Sequence, residues 1–317
     1  MTKLEKLRRE YKSCGRWYYH LVLDSLGDRN LFNDIDEYIN GMNVVAIGQF
    51  INKVGVIQFD WMRNHGHFIL LATGLECCLF FDYIRFRLNA RLVKDGFPPL
   101  PKGWFFKLIR LETLEELVNA VSYSARNSYD ARRDILPGGY LWSSNYLMFS
   151  DMGEMIESKT VGGIGTCGMI RLLGSNIRLP ETYKVCKLGF VLPESYLLRT
   201  EDGTMTKARS LYKDSKDYAY RVFRDYETYR KTASSLGEAW SPSGSDVDSL
   251  IENILNVNYG VRDIRGLDGD KCCDLAVTLG LRYGLKAEEI ASRLHLSPSM
   301  VSKLIYSYSK KNKNPIK

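Results

Sequence analysis

The chain has 317 residues, 45% hydrophobic, 26% charged and 12% aromatic, with a net charge of +7. That composition describes a globular protein with a sizeable core and excludes disordered, collagen-like and low-complexity chains. No apolar run reaches the roughly 20 residues of a membrane span, and the charged start MTKLEKLRREYKSCGR lacks a secretory apolar core, so a cytoplasmic protein without a membrane partner is expected.

In chain order, Trp17 to Asp24 (WYYHLVLD) reads as a strand, closed by the Gly27-Asp28-Arg29-Asn30 turn cluster. Asn33 or Asp34 then opens a helix whose apolar face carries Ile35, Tyr38, Ile39 and Met42. Val54–Met62 and His65–Leu71 read as two strands around the junction Arg63-Asn64. A second helix is expected from Glu76 to Lys94, a Gly/Pro loop over 96–103, a strand over Trp104–Leu111, and a third helix from Glu112 to Arg126. The order β-α-β-β-α-β plus one helix predicts an α+β fold. Its expected form is a ferredoxin-like antiparallel sheet with helices on one face. From 151 to 255 the periodicity weakens, which predicts an irregular extension containing the linker WSPSGSD at 240–246.

The last segment, 256–317, is periodic again. Cys272, Leu275, Ala276 and Leu279 share one helical face, as do Ala287, Ile290, Ala291 and Leu294. The turn His295-Leu296-Ser297 leads to a third helix with Val301, Leu304 and Ile305, predicting a small all-α helix-turn-helix domain. Residues 271–317 hold nine Lys or Arg against three Asp or Glu, so they carry six of the seven net positive charges. A basic module on a near-neutral body points to a polyanionic partner. The helix over 298–305 would present Ser299, Ser302 and Lys303 to the major groove of duplex DNA. The seven cysteines are odd in number and form no C-x-x-C, which argues against a disulfide framework or a cysteine zinc site.

Two short motifs carry chemistry. His65-Gly66-His67 places two imidazoles on one face of a strand, where both can meet one divalent ion. Taken alone, the pair is as readily a chance one with a packed histidine. Tyr123 and Asn127 lie one helical turn apart, off the apolar stripe Leu114, Leu117, Val118 and Val121. A tyrosine so placed is, by itself, most often an ordinary amphipathic one. Arg85, Arg87 and Arg91 on the second helix, and Arg126 beside Tyr123, read either as a solvated charged face or as phosphate contacts.

Together with their flanks these motifs resemble the HUH single-tyrosine transposases, closest to the group associated with bacterial repetitive extragenic palindromes. Tyr19-His20-Leu21-Val22, Asn30-Leu31-Phe32 and Asp36-Glu37-Tyr38 look like the family's first strand and helix. Met62 to Leu70 is similar to its HUH motif, Tyr123 to Asn127 to its nucleophile helix, and Tyr140-Leu141-Trp142-Ser143-Ser144 to its closing signature. The family usually has proline where this chain has Arg63 and Ser128. The C-terminal module resembles, more loosely, the DNA-binding domain of bacterial replication initiators.

The resemblance implies a catalytic domain over 1–150, the extension over 151–255 and the DNA-binding domain over 256–317. It implies Tyr123 as nucleophile and a Mg²⁺ or Mn²⁺ ion held by His65, His67 and Asn127. The expected reaction cuts single-stranded or hairpin DNA at or near repeat hairpins through a 5′-phosphotyrosyl intermediate, in the bacterial nucleoid. Arg85, Arg87 and Arg126 would contact its phosphates. It leaves self-association as a homodimer open. The competing readings are a regulator that binds repeat DNA without cutting it and a metal-dependent nuclease using water. A zinc hydrolase lacks an evident acidic third ligand. No G-x-x-x-x-G-K-[ST] loop is present; Gly162-Gly163-Ile164-Gly165 reads as a turn. His65 and His67 are expected on a central strand facing a groove that Tyr123 borders.

Overall fold

The computed structural model describes residues 3–10, 15–131, 137–149, 158–160, 179, 183–186, 188–192, 204–238, 244–281, 283 and 285–311. Among them the chain divides into two compact units, 1–222 and 223–317. No helix of the described residues is long and apolar enough to cross a membrane.

The first unit begins with helix α1 (Lys3–Glu10) and strand β1 (Trp17–Leu23), followed by α2 (Ile35–Asn52), β2 (Gly55–Trp61) and β3 (Gly66–Ala72). Helix α3 (Gly74–Lys94), β4 (Phe106–Arg110) and α4 (Leu114–Ala131) complete the α+β layer. The four strands form one sheet in the order β2-β3-β1-β4, every neighbouring pair antiparallel. Helix starts follow local chemistry. Asp34 caps α2 by accepting from the Glu37 N–H, and Thr73 with Glu76 makes a capping box at α3.

The two sheet faces differ in chemistry, as the period of two requires. One face carries Tyr19, Leu21, Phe59, Trp61, Phe68 and Leu70, all buried, and α2 and α3 cover it. Phe68 meets Phe80 with ring centroids 5.6 Å apart, and Phe81 meets Phe106 at 4.4 Å. The other face carries His20, Gln58, Asp60 and His67, also buried, and α4 lies across it. The segment 142–144 runs beside the free edge of β2: Trp61 N–H donates to Trp142 O and Ser144 N–H to Phe59 O, both at 2.9 Å. A small antiparallel sheet of β5 (Ser158–Thr160), β6 (Lys184–Cys186) and β7 (Val191–Leu192) includes Val191, which packs on Ala46 and Ile47 of α2.

The expected irregular extension over 151–255 needs correction where it is described. It contains α5 (Thr204–Ser210), α6 (Ser215–Phe223), α7 (Tyr226–Leu236) and α8 (Gly244–Ile254). The Gly162–Gly165 run and most of the 240–246 linker fall outside the described residues. The division between the two compact units falls after residue 222. Upstream of it, Tyr212 Oη lies 2.9 Å from Ser122 Oγ on α4 and Arg221 pairs with Glu115 at 3.2 Å. Downstream, α8 shares a core with the last three helices, α9 (Gly269–Leu281), α10 (Ala287–Leu294) and α11 (Pro298–Lys311).

That second core contains Leu250, Ile251 and Ile254 of α8 with Leu275, Leu279, Ile290, Leu294 and Val301. The expected stripes thus point inward. His295 ends α10 in the left-handed region at φ 54°, and Leu296 and Ser297 lead into α11. Ser299, Ser302 and Lys303 are exposed.

Candidate active site

The site lies on the polar sheet face under α4. Strand β3 is central, paired with β1 on one side and β2 on the other, and His67 sits opposite Val22 and Asp60. His65 immediately precedes β3. Their imidazoles turn to the same side and meet, Nε2 to Nε2, at 3.0 Å. Asn127 of α4 brings its amide to within 3.1 Å of His67 Nε2. The Tyr123 ring lies edge-on, 5.8 Å from the His67 ring and 6.3 Å from that of His20. The His65–His67 pair and the Tyr123–Asn127 pair, more than 50 residues apart in sequence, therefore converge.

Gly66 separates the histidines for a steric reason. A Cβ there would come within 2.7 Å of the Trp61 ring, which fills the core beneath the strand. A side chain at 66 would push the strand off that ring and carry both imidazoles with it.

The tautomers follow from the surrounding bonds. Asn64 Nδ2 donates to Gly27 O at 2.6 Å, which turns its Oδ1 towards His65 Nδ1 at 2.7 Å. An amide oxygen only accepts, so His65 carries its proton on Nδ1 and presents a bare Nε2. His67 Nδ1 lies 3.2 Å from His20 Nε2, a bond that holds the ring and leaves Nε2 aimed at the His65–Asn127 cluster. Burial keeps all three neutral: it lowers the His20 pKa to about 3, that of His65 to about 4, and that of His67 well below its ordinary value. Neutral imidazoles with lone pairs facing each other form a cation-binding donor set.

The spacing suits a six-coordinate ion. Two donors 3.0 Å apart subtend about 90° at an ion about 2.1 Å from each, the octahedral angle that Mg²⁺ requires. Asn127, at 3.1 Å from His67 Nε2, fits the same arrangement once its amide turns its oxygen inward. Asp60 is fully buried, and desolvation pushes its carboxyl well above the ordinary range.

Sequence reasoning missed a buried polar hub behind these groups. Asn145 Nδ2 reaches Asp60 Oδ2 at 3.4 Å and Ser128 Oγ at 3.5 Å, while Gln58 Nε2 donates to Asn145 Oδ1 at 3.0 Å. The hub ties α4, one residue past Asn127, to β2 and to the Trp142–Asn145 segment. Its members have no local pattern. His20 had a signal that went unused: it shares sheet-face parity with Tyr18 and Val22, and Val22 faces His67.

Three expectations about cations and packing change. Arg126 is 1% exposed and donates to Val222 O at 3.0 Å, so it braces α6 and is not a phosphate contact. Arg85 donates to Lys102 O at 2.9 Å; it and the half-buried Arg87 stand on α3, across the sheet from Tyr123. Leu114, expected in the apolar stripe, is 68% exposed, whereas Tyr123, expected off it, is 2% exposed. Both follow from α4 being covered on two sides, by the sheet and by residues 204–222, with its first turn left outside.

Comparison with protein-family models, curated proteins and solved structures found no match to this chain.

Proposed function

We propose that the chain is a metal-dependent single-strand DNA transesterase of the HUH single-tyrosine type, with Tyr123 as nucleophile. The observation that carries this reading is the convergence of His65 Nε2, His67 Nε2 and the Asn127 amide beside the Tyr123 ring. The sheet order β2-β3-β1-β4, with α2 and α3 as crossings, supports a ferredoxin-like catalytic layer. With its histidines neutral, this face needs a bound cation to meet a phosphodiester.

His65 and His67, with Asn127, would hold Mg²⁺ or Mn²⁺. When bound, the ion supplies Lewis-acid polarisation of the scissile phosphate and stabilises charge on the leaving oxygen. The chain's own residues do the rest. The Tyr123 hydroxyl oxygen forms the new bond to phosphorus as the bond to the 3′ oxygen breaks. The phenol gives up one proton and the departing 3′ oxygen takes one up, so no cofactor is consumed. His20 keeps the His67 ring oriented throughout. The second unit, with its three-residue turn between α10 and α11 and exposed Ser299, Ser302 and Lys303, is read as a helix-turn-helix for duplex DNA.

The test is covalent capture. With Mn²⁺, single-stranded DNA from palindromic repeats should yield protein joined to the 5′ side of the cut, stable to boiling in detergent. Tyr123→Phe removes one hydroxyl and should abolish the adduct while DNA binding persists; His65→Ala with His67→Ala, or chelation, should also abolish it. Cut DNA without attached protein would establish a water-using nuclease instead. Binding with neither cutting nor adduct would establish a regulator.

A further inference from the structure

Strand register places one further cation on the sheet face of the candidate active site. Lys107 of β4 stands opposite Val22 of β1, Val22 opposite His67 of β3, and His67 opposite Asp60 of β2. Residues directly opposite one another project to the same side of a sheet, so these four form one row across the face under α4. Phe106, the residue before Lys107, points the other way and meets Phe81 of α3 at 4.4 Å. Lys107 and Arg110 are the only Lys or Arg in the four strands. Arg110, opposite Tyr19, belongs to the apolar face, where its guanidinium lies over Trp17. Lys107 is therefore the one cation that the sheet itself contributes to the polar face.

The row runs from covered to open. Asp60 and His67 are fully buried and Val22 nearly so, whereas Lys107 is exposed. Helix α4 packs mainly over β2 and β3, which closes the Asp60 end and leaves the β4 end accessible. The backbone that carries Lys107 is held in place. Phe105 N–H donates to Asp24 Oδ2 at 3.0 Å and the Trp104 indole N–H to Asp24 O at 2.7 Å, locking the start of β4 to the end of β1. Opposite residues in antiparallel pairs lie about 4.5–5.5 Å apart, so the Lys107 Cα stands about 10 Å from that of His67. Its flexible stem spans part of that distance. With phosphates about 3.4 Å apart along a stacked strand, the ammonium lies within about three phosphates of the His65–His67 donors.

We infer that Lys107 binds a backbone phosphate flanking the one attacked by Tyr123, so that the single strand crosses the open β1–β4 side of the sheet. The inference rests on the transesterase reading above and adds the path of the strand. Neutral histidines and the ion they would hold serve the scissile phosphate; a flanking phosphate meets in Lys107 a point charge that reads no base. Strand β4 thus takes the part that sequence suggested for Arg126, which the fold turns inward onto Val222 O.

The experiment measures equilibrium binding to the full chain carrying Tyr123→Phe, which prevents covalent capture, with Mn²⁺ and over a series of salt concentrations. The probes are a mixed-sequence single strand and an abasic strand of equal length and charge. Lys107→Gln should weaken both by the same factor, about 3-fold to 10-fold at low salt, and lower the slope of log affinity against log salt by about 0.7, the share of one single-strand phosphate contact. Lys107→Arg keeps the charge and should restore most of both effects. Mn²⁺ binding, read by calorimetry, should match the parent in both variants and so report an intact site. An edge-strand lysine also blocks pairing with another sheet. Were that its only role, Lys107→Gln would self-associate on sizing with the parental salt slope, and the inference would be overturned. A parental slope without self-association overturns it equally and leaves the transesterase reading standing. If no single strand binds at all, the transesterase reading fails and the contact with it.

Discussion

Replacing His20 by glutamine should cost less stability at pH 5.5 than at pH 7.5, by about 1.4 kcal/mol. His20 is fully buried and neutral, with its pKa lowered from 6.5 to about 3. A histidine depressed on folding contributes stability that is complete above 6.5 and is lost as pH falls through the window down to the folded value. At pH 5.5 the unfolded chain has protonated the imidazole about tenfold over its neutral form, whereas the folded chain has not. The native state therefore forgoes about 1.4 kcal/mol through this one group, and glutamine, which does not titrate, forgoes none. Comparing the two proteins is necessary because Asp60 acts in the opposite sense: its raised carboxyl pKa favours the folded state as pH falls. Both proteins keep Asp60 and His67, so those contributions cancel in the difference. The assay is urea unfolding of the first unit followed by tryptophan fluorescence, without divalent ions. With a slope of about 2–3 kcal/mol per molar, the gap between midpoints should narrow by about 0.5–0.7 M on acidification. A gap constant to within about 0.2 M would mean that His20 is solvated or already charged in the fold, and the tautomer argument for His67 would lose its support.

Gly66→Ala places a methyl against Trp61, so it should destabilise the first unit by about 1–3 kcal/mol. It should also weaken Mn²⁺ binding, read by calorimetry; a variant that binds Mn²⁺ like the parent would show that the strand yields without moving His65 and His67. Lys303 is exposed on α11, and Lys303→Ala should lower affinity for duplex DNA about equally across sequences and reduce the salt slope by about one. An unchanged slope would remove α11 from the duplex interface.

What the sequence disclosed depended on the range of the signal. The alternation and capping that define β1 through α4 are local, and their order and approximate limits were readable, as were the inward stripes of α9 and α10. The histidine pair and the Tyr123–Asn127 turn were also local patterns, each ambiguous alone. Sequence could not show that α4 lies across His67, because that depends on a helix packing over a sheet face. The same reason explains the errors around α4. Periodicity gives one buried stripe for a helix with one neighbour, whereas α4 has two, so Tyr123 is buried on the side that looked solvent-facing. Arg126, beside it, is drawn onto Val222 O and lost to solvent.

The polar groups behind the site show where such reasoning runs out, and why they matter. Gln58, Asp60, Ser128 and Asn145 come from a strand, a helix and a short turn, and are each unremarkable in sequence. In the fold they are buried and bonded to one another through Asn145. A buried amide or carboxyl costs free energy unless it is paired, so these groups stabilise one relative placement of β2, α4 and the 142–145 segment and penalise others. Ser128 adjoins Asn127, and Asp60 stands opposite His67 in the sheet. The hub thus constrains the distance between the helix that carries Tyr123 and the strand that carries His67. The proposed transesterification would need those two held to fractions of an ångström. On that proposal the polar stripe across this sheet face, costly in a purely structural core, holds the two elements in register.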